Sequence, residues 1–93
     1  MEPVVISSGK IVNLQPPVRD ISLDGKEVVS VSYSYDKFPE GTISQYFMPG
    51  DDETWADAER QAAAFHASLA ELQAAGGIIN SAVRQELVDK ACA

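Results

Sequence analysis

The chain has little cysteine, little histidine and little positive charge, and each shortage narrows what it can do. Cys92 is the single cysteine among 93 residues, which excludes an intramolecular disulfide and a metal site built from several cysteines. Seven lysines and arginines are outnumbered by fourteen aspartates and glutamates, giving a net charge of −7. A protein that binds nucleic acid directly needs a basic footprint, so we expect no direct nucleic-acid binding.

Long hydrophobic runs are also missing. No window approaches the ~18 consecutive apolar residues of a membrane-spanning helix, so we expect no membrane segment. Residues 1–9 contain no basic stretch and an apolar run of only three residues, which argues against a signal peptide. A free cysteine is typical of a reducing compartment, so we expect a cytoplasmic protein. A hydrophobic content of 45% and a mean hydropathy of −0.10 are those of a soluble globular chain.

The composition changes once along the chain, at residues 48–50. Residues 1–48 are rich in valine, isoleucine, serine and tyrosine and hold four of the five prolines, whereas residues 51–91 are rich in alanine, glutamate, glutamine and leucine. A strand-forming half thus precedes a helix-forming half within one domain, residues 1–93. We predict an α+β fold, in which two C-terminal α-helices pack on an N-terminal antiparallel β-meander of three to five strands.

The clearest strand covers residues 28–35, where valine and tyrosine alternate with serine. A second strand, residues 18–23, precedes it across a tight turn. The apolar faces of the two strands agree when Ser22 pairs with Lys26 around a bulged turn, with Gly25 in the left-handed conformation. The serine face of the sheet is then either solvated or the place where a partner docks.

Two further strand regions are predicted mainly from their boundaries. Residues 42–48 follow a loop at residues 36–41 and carry large apolar side chains on both faces, so this strand is either covered on both sides or meets a partner. Near the N-terminus, residues 4–7 and 11–14 form a weaker hairpin with its turn at residues 8–9.

Two helices are predicted in the second half. Asp51 or Asp52 caps the first helix, and Gly76 ends it in the left-handed conformation. The second helix covers residues 81–91, and Ile79 leads its apolar stripe. The stripe of the first helix consists of Trp55, Ala58, Ala62, Phe65, Leu69 and Leu72.

Side chains suited to catalysis are scarce. His66, the single histidine, lies beside the stripe of the first helix, and no sequence rule places a carboxylate or hydroxyl against it. Cys92 is next to the C-terminus, where no preorganised site is expected. The acidic run at residues 51–53 lacks the ligand spacing of a calcium loop and is explained by capping of the helix dipole. We therefore expect no enzyme, no cofactor and no bound metal.

A surface for another protein remains the best-supported use of the chain. Five acids fall within residues 51–59, and Arg60 is the one base beside them. An acidic edge of this kind steers toward a basic surface and competes there with nucleic-acid phosphates. Exposed aromatic side chains on the neighbouring strand and loop would add apolar contact area. The predicted partner-binding residues are Asp51, Asp52, Glu53, Trp55, Asp57, Glu59, Tyr46 and Phe38.

These observations predict a small acidic, non-enzymatic protein-binding module that occludes a basic, nucleic-acid-binding surface of a partner protein. In size and charge alone the chain is similar to small phage-encoded inhibitors of host nucleic-acid machinery, anti-CRISPR proteins among them, which would place it in the host cytoplasm. The alternative is a structural or assembly subunit, such as a small virion component or a homodimer whose sheets pair edge to edge. A small enzyme comes third.

Overall fold

The computed structural model describes residues 8–93, which form an antiparallel sheet and two helices. The predicted α+β arrangement, with a β-rich half followed by two C-terminal helices, is confirmed. In chain order the elements are β1 (Ser8–Val12), β2 (Val18–Ile21), β3 (Glu27–Tyr35), β4 (Phe38–Phe47), α1 (Trp55–Ala74), β5 (Ile78–Asn80) and α2 (Ser81–Ala91).

Strand β3 is the centre of the sheet, and the pairings among residues 8–93 are antiparallel. β4 pairs with β3 along one edge. β2 and β1 share the opposite edge, with β2 beside residues 27–30 and β1 beside residues 34–35. β5 extends the sheet beyond β1. Within the predicted meander of three to five strands, β2, β3 and β4 are the consecutive antiparallel neighbours.

The turn between β2 and β3 has the predicted bulged form. The Ser22 N–H donates to the Lys26 carbonyl at 2.8 Å. Gly25 has φ of +81°, a left-handed value that glycine adopts without steric cost. Ile21 pairs with Glu27, so it lies on the same sheet face as Val29, as the bulged register requires.

The predicted N-terminal hairpin is wrong in its turn. Residues 4–7 lie outside the described residues. Residues 8–9 belong to strand β1, and Gly9 pairs with Ile79 of β5. A Cβ at Gly9 would lie 2.8 Å from Oδ1 of Asp36, so this glycine marks a close approach within the sheet and not a turn.

The loop predicted at residues 36–41 is shorter than expected. Tyr35 pairs with Phe38, so the turn consists of Asp36 and Lys37, and β4 begins at Phe38. Pro39 is compatible with a strand here because β4 is an edge strand in the described part of the sheet, and an edge residue can lack an N–H donor.

The core lies between α1 and the sheet face that carries the odd-numbered residues of β3. On this face Val31 and Tyr33 are 0% and 1% exposed. The predicted stripe of α1 faces them: Ala58, Ala62, Phe65 and Leu69 are fully buried, and Trp55 and Leu72 pack at its two ends. Fully burying a large apolar side chain contributes about 1.5–3 kcal/mol, so this contact provides much of the stability of the fold.

Helix α1 is capped by Thr54 and not by Asp51 or Asp52 as predicted. The Asp57 N–H donates to Oγ1 of Thr54 at 3.4 Å, and the Thr54 N–H donates to Oδ2 of Asp57 at 2.8 Å. This reciprocal pair is a capping box, which satisfies two of the donors that a helix start leaves unpaired. Asp51 and Asp52 instead occupy a turn before the cap.

The end of α1 has the predicted left-handed glycine. Gly76 has φ of +68°, and its N–H donates to the Gln73 carbonyl at 3.0 Å. The Gly77 N–H donates to the Leu72 carbonyl, also at 3.0 Å, which completes a Schellman motif. Ile79 then enters β5 and is fully buried, so it does not lead the stripe of α2 as predicted. Neither helix of the described chain has the length and apolar composition to cross a membrane.

Replacing Thr54 with alanine should destabilise the protein. The substitution removes one side of the capping box, and losses of this kind cost about 1 kcal/mol of unfolding free energy. Urea unfolding followed by far-ultraviolet circular dichroism measures the change. Thr54→Ser keeps the hydroxyl acceptor and is the control. Equal stability of the alanine and serine variants would contradict the capping assignment.

Candidate functional site

Several carboxylates of the acidic segment have partners inside the chain. Glu53 accepts a hydrogen bond from the Gly50 N–H at 2.9 Å through Oε1, and one from Nε2 of Gln61 at 2.5 Å through Oε2. Asp57 forms the capping box and an ion pair with Arg60 at 2.8 Å. These two acids therefore hold the start of α1 in place.

Arg19 of β2 lies against the acidic segment, residues 51–59, and forms ion pairs with two glutamates. Its Nη1 is 2.7 Å from Oε1 of Glu27, and its Nη2 is 3.1 Å from Oε1 of Glu59. Its guanidinium carbon lies 4.0 Å from the centre of the Trp55 ring, a cation–π contact. Trp55 is partly buried beneath it. The sequence indicates Arg60 as the one base beside the acidic residues 51–59. Arg19 has one signal in the sequence: the bulged register places it opposite Val29, on the helix-covered face.

The predicted acidic edge is therefore reduced to two carboxylates without partners. Asp51 and Asp52 are exposed and make no hydrogen bond or ion pair with any other described residue. The topology also settles which loop acids join them. The turn that contains Asp24 is at the same end of the sheet, whereas Asp36 and Glu40 lie at or beside the opposite hairpin.

The even-numbered residues of β3 lie on the sheet face that no helix covers within residues 8–93. We call this the open face. One row across it consists of Val18, Ser30 and Tyr46, which the strand registers place side by side. Val18 is 51% exposed and Tyr46 is 40% exposed. The open face includes Val18, Val28, Ser30, Ser32, Ser44, Tyr46 and Met48.

An apolar groove lies at one end of the open face. Its volume is about 290 Å³, and it is open to solvent. Val28 forms the buried floor, while Leu23 is fully exposed and Met48 is 48% exposed at the walls. Pockets for small ligands enclose about 300–1,000 Å³, so an open groove of this size suits one inserted side chain better than an enclosed small molecule. The lining residues are Ser22, Leu23, Asp24, Val28, Tyr46 and Met48.

The wall of the groove carries a stable negative charge. The Ser22 hydroxyl donates to Oδ1 of Asp24, and this hydrogen bond is the main cause that lowers the pKa of Asp24 from its ordinary value. Lys26 is near Asp24, but its Nζ is 4.0 Å from Oδ2 and both side chains are exposed. Such a pair is weak in water, so Asp24 stays ionised and accessible at neutral pH.

The serines of β3 are less solvated than predicted. Ser30 and Ser34 are 2% and 3% exposed, because short side chains on the central strand lie between longer ones on both neighbouring strands. Ser30 and Ser32 hydroxyl oxygens are 3.4 Å apart, and those of Ser32 and Ser44 are 3.1 Å apart. This hydrogen-bonded row leaves the middle of the open face small and flat, beside the groove.

Phe38 and Tyr46 do not belong to one surface. Phe38 is 51% exposed at the start of β4, and its ring packs on Gly41, where no Cβ would fit. Eight residues of strand separate it from Tyr46, a distance of roughly 27 Å. The predicted partner-binding residues are thus divided: Tyr46 lines the groove, Phe38 is at the opposite end, and Trp55, Asp57 and Glu59 make contacts within the chain.

The two side chains considered for catalysis, His66 and Cys92, lie on α1 and at the end of α2. His66 is partly buried on α1, beside the stripe. Burial, with smaller contributions from the carboxylates of Glu53 and Asp89, raises the pKa of the Cys92 thiol, which makes it a poorer nucleophile. No group of three or more histidine, cysteine, aspartate or glutamate side chains among these residues could hold a metal ion.

Comparison with protein-family models, with curated proteins and with solved structures finds no match for this chain. The analogy with phage-encoded inhibitors therefore stays a prediction from size and charge.

Arg19→Ala should move the emission of Trp55 to longer wavelength. The variant removes the guanidinium above the ring, and Trp55 is the single tryptophan, so fluorescence reports this contact alone. Because the Arg19 side chain is 41% exposed, the loss of unfolding free energy should stay below about 1 kcal/mol. Lys26→Ala removes an exposed base elsewhere and should leave the spectrum unchanged. An unshifted spectrum for Arg19→Ala would contradict the contact.

The contribution of Asp57 to stability should depend on pH. The Thr54 N–H, and then Arg60, lower the pKa of Asp57 below its ordinary value of 3.8. Folding therefore favours the ionised form, so the contribution is complete above pH 3.8 and is lost as the pH falls through the lower folded-state pKa. The difference in unfolding free energy between wild type and Asp57→Asn, measured by urea titration across this range, should shrink toward acid pH. A difference that does not change with pH would refute this.

Proposed function

We propose that this protein is a non-catalytic binding module that docks the groove end of its open face onto a basic partner protein. It acts by covering the partner's surface, and where that surface binds nucleic acid, the module competes with the phosphates. The observation that carries the proposal is the exposed apolar groove formed by Leu23, Tyr46 and Met48 over the buried floor of Val28.

The composition of the groove is that of an interaction hot spot. Tyrosine is enriched among the residues that dominate binding energy, and methionine adapts its shape to an incoming side chain. Tyr46 and Met48 are 40% and 48% exposed, so both retain a large area to lose on docking. Single exposed apolar residues are normal on a protein surface; here Leu23, Tyr46 and Met48 gather around one groove, which supports a binding role.

The charge around the groove defines the chemistry of the partner. Asp24 is part of the wall, Asp20 pairs with Val28 and so lies on the same face, and Asp51 and Asp52 follow Met48 closely along the chain. With a net charge of −7, the whole molecule attracts a basic surface and repels nucleic acid. The partner should therefore present an apolar side chain surrounded by lysine or arginine, because opposite potentials speed association and select against other surfaces.

Removing the two apolar walls should weaken capture of the partner. Tagged wild type and a Tyr46→Ser/Met48→Ser variant are incubated with bacterial lysate, eluted in steps of rising salt, and compared by quantitative mass spectrometry. A basic protein that wild type retains should be recovered at least about tenfold less with the variant, since two anchors of a hot spot are lost. Phe38→Ser is the matched control, because it removes an exposed aromatic residue at the other end of β4.

The control separates this proposal from general stickiness. Retention by Phe38→Ser together with loss by Tyr46→Ser/Met48→Ser supports the groove. Equal retention by all three proteins, or equal loss by both variants, contradicts it. Binding by an Asp51→Asn/Asp52→Asn variant should depend less on salt, because peripheral charges act mainly on the association rate. The lifetime of the complex should change less.

A further inference from the structure

One edge of the sheet includes a stretch, residues 41–47, that lacks the usual protection against pairing with another strand. Among the described strands, β2 and β5 also have a free edge. β2 is four residues long and carries Arg19 and Asp20, and β5 is three residues long and leads directly into α2. Short length and charge are the devices that keep edges from pairing. β4 is ten residues long and, among the described strands, pairs only with β3; Pro39 and Glu40 lie at its start, before residues 41–47.

The hydrogen bonds define which groups β4 directs outward. Ser22 donates to the Lys26 carbonyl and Gln15 donates to the Ser32 carbonyl, so the main-chain groups of even-numbered residues in β3 point away from β4. Because this direction alternates along an antiparallel strand, the odd-numbered residues of β3 bond to β4. Their partners in β4 are the odd-numbered residues 43, 45 and 47. The N–H and C=O groups of Thr42, Ser44 and Tyr46 therefore point to the free edge.

This outward segment carries neither charge nor proline. Residues 41–47 are Gly-Thr-Ile-Ser-Gln-Tyr-Phe, in a chain whose net charge is −7. Two copies of a strongly acidic protein repel each other over most of their surfaces. At this edge, identical strands can approach without placing carboxylates opposite one another.

We propose that β4 pairs with β4 of a second copy of this chain, antiparallel about a two-fold axis at Ser44. Because Thr42, Ser44 and Tyr46 direct their main-chain groups outward, the bonded pairs are Ser44 with Ser44 of the other copy, and Thr42 with Tyr46 of the other copy. A β-branched residue opposite an aromatic one is a favourable cross-strand pair. Each bonded pair exchanges two main-chain hydrogen bonds, and the Tyr46 carbonyl, which accepts a hydrogen bond from Nε2 of Gln45 at 3.5 Å, gains a main-chain donor in this ladder.

This inference concerns the main-chain edge of β4, which shares Tyr46 with the groove, and it does not depend on the proposed function. A two-fold axis perpendicular to the sheet turns the open faces of both copies to the same side. The two Tyr46 side chains and both grooves would then lie on one continuous sheet face, which would make the module bivalent toward a repeating or symmetric partner.

A charge at position 44 tests the pairing because residue 44 of one copy lies opposite residue 44 of the other copy. Ser44→Lys sets two lysines directly opposite one another. The dissociation constant of its dimer, measured by sedimentation velocity, should be at least about tenfold higher than that of wild type. Thr42→Lys is the matched control on the same strand. This variant loses the cross-strand contact with Tyr46, but its two lysines are four residues apart, roughly 14 Å, which exceeds the ~10 Å screening length at 0.1 M salt, so its dimer should weaken less than that of Ser44→Lys.

Mixing opposite charges provides the converse test. Equimolar Ser44→Lys and Ser44→Asp should form a heterodimer, although each variant alone is mainly monomeric. Circular dichroism and Trp55 emission confirm that each variant is folded. Wild type that stays monomeric up to about 1 mM, Ser44→Lys that dimerises as wild type does, or folded variants that fail to combine would each overturn the proposal.

A cross-link tests the same geometry without altered charge. In a Cys92→Ser background, Ser44→Cys should form a disulfide-linked dimer on mild oxidation, because a bonded antiparallel pair places Cα atoms about 5.5 Å apart, within the 4.4–6.8 Å range of disulfides. In the Thr42→Cys variant, the introduced cysteines of the two copies lie too far apart for a disulfide, so this variant should cross-link at least about tenfold more slowly. Equal rates for the two variants would overturn the register.

Discussion

Packing of the odd-numbered side chains of β3 against α1 is the contact on which the other features depend. Val29, Val31 and Tyr33 meet the stripe of α1, and these three side chains are almost completely buried. Because side chains alternate along a strand, this one contact turns the even-numbered residues of β3 to the other side of the sheet. The same strand thus defines both the core and the open face, and a shift of register by one residue would exchange them.

The acidic residues divide into two groups with different physical roles. Gln61 and Arg60 engage Glu53 and Asp57 at the start of α1 itself, and Arg19 of β2 engages Glu59, which joins this part of the helix to the sheet. Asp20, Asp24, Asp51 and Asp52 remain exposed at the groove end. The net charge of −7 therefore overstates the charge at any one place on the surface, and the proposed docking relies mainly on the apolar area at the groove.

Local signals in the sequence predicted local structure well. The alternation of residues 28–35, the bulged turn at Gly25 and the left-handed Gly76 each depend on neighbours within a few positions, and each is confirmed. Features that join distant segments were not predicted. Arg19 reaches Glu59 across 40 positions of sequence, and β5 is too short, at three residues, to show a periodicity. The groove joins the β2–β3 turn to the end of β4, so the sequence predicted Tyr46 as an anchor but not the residues around it.

Hydroxyl-radical footprinting of the protein, alone and bound to its partner, tests the central claim most directly. The method measures the solvent exposure of individual side chains, and aromatic residues, methionine and leucine react readily. Our account expects Leu23, Tyr46 and Met48 to be protected in the complex, while Phe38 and Trp55 react as they do in the free protein. Protection confined to Phe38 or Trp55, with Tyr46 and Met48 unchanged, would contradict docking through the open face.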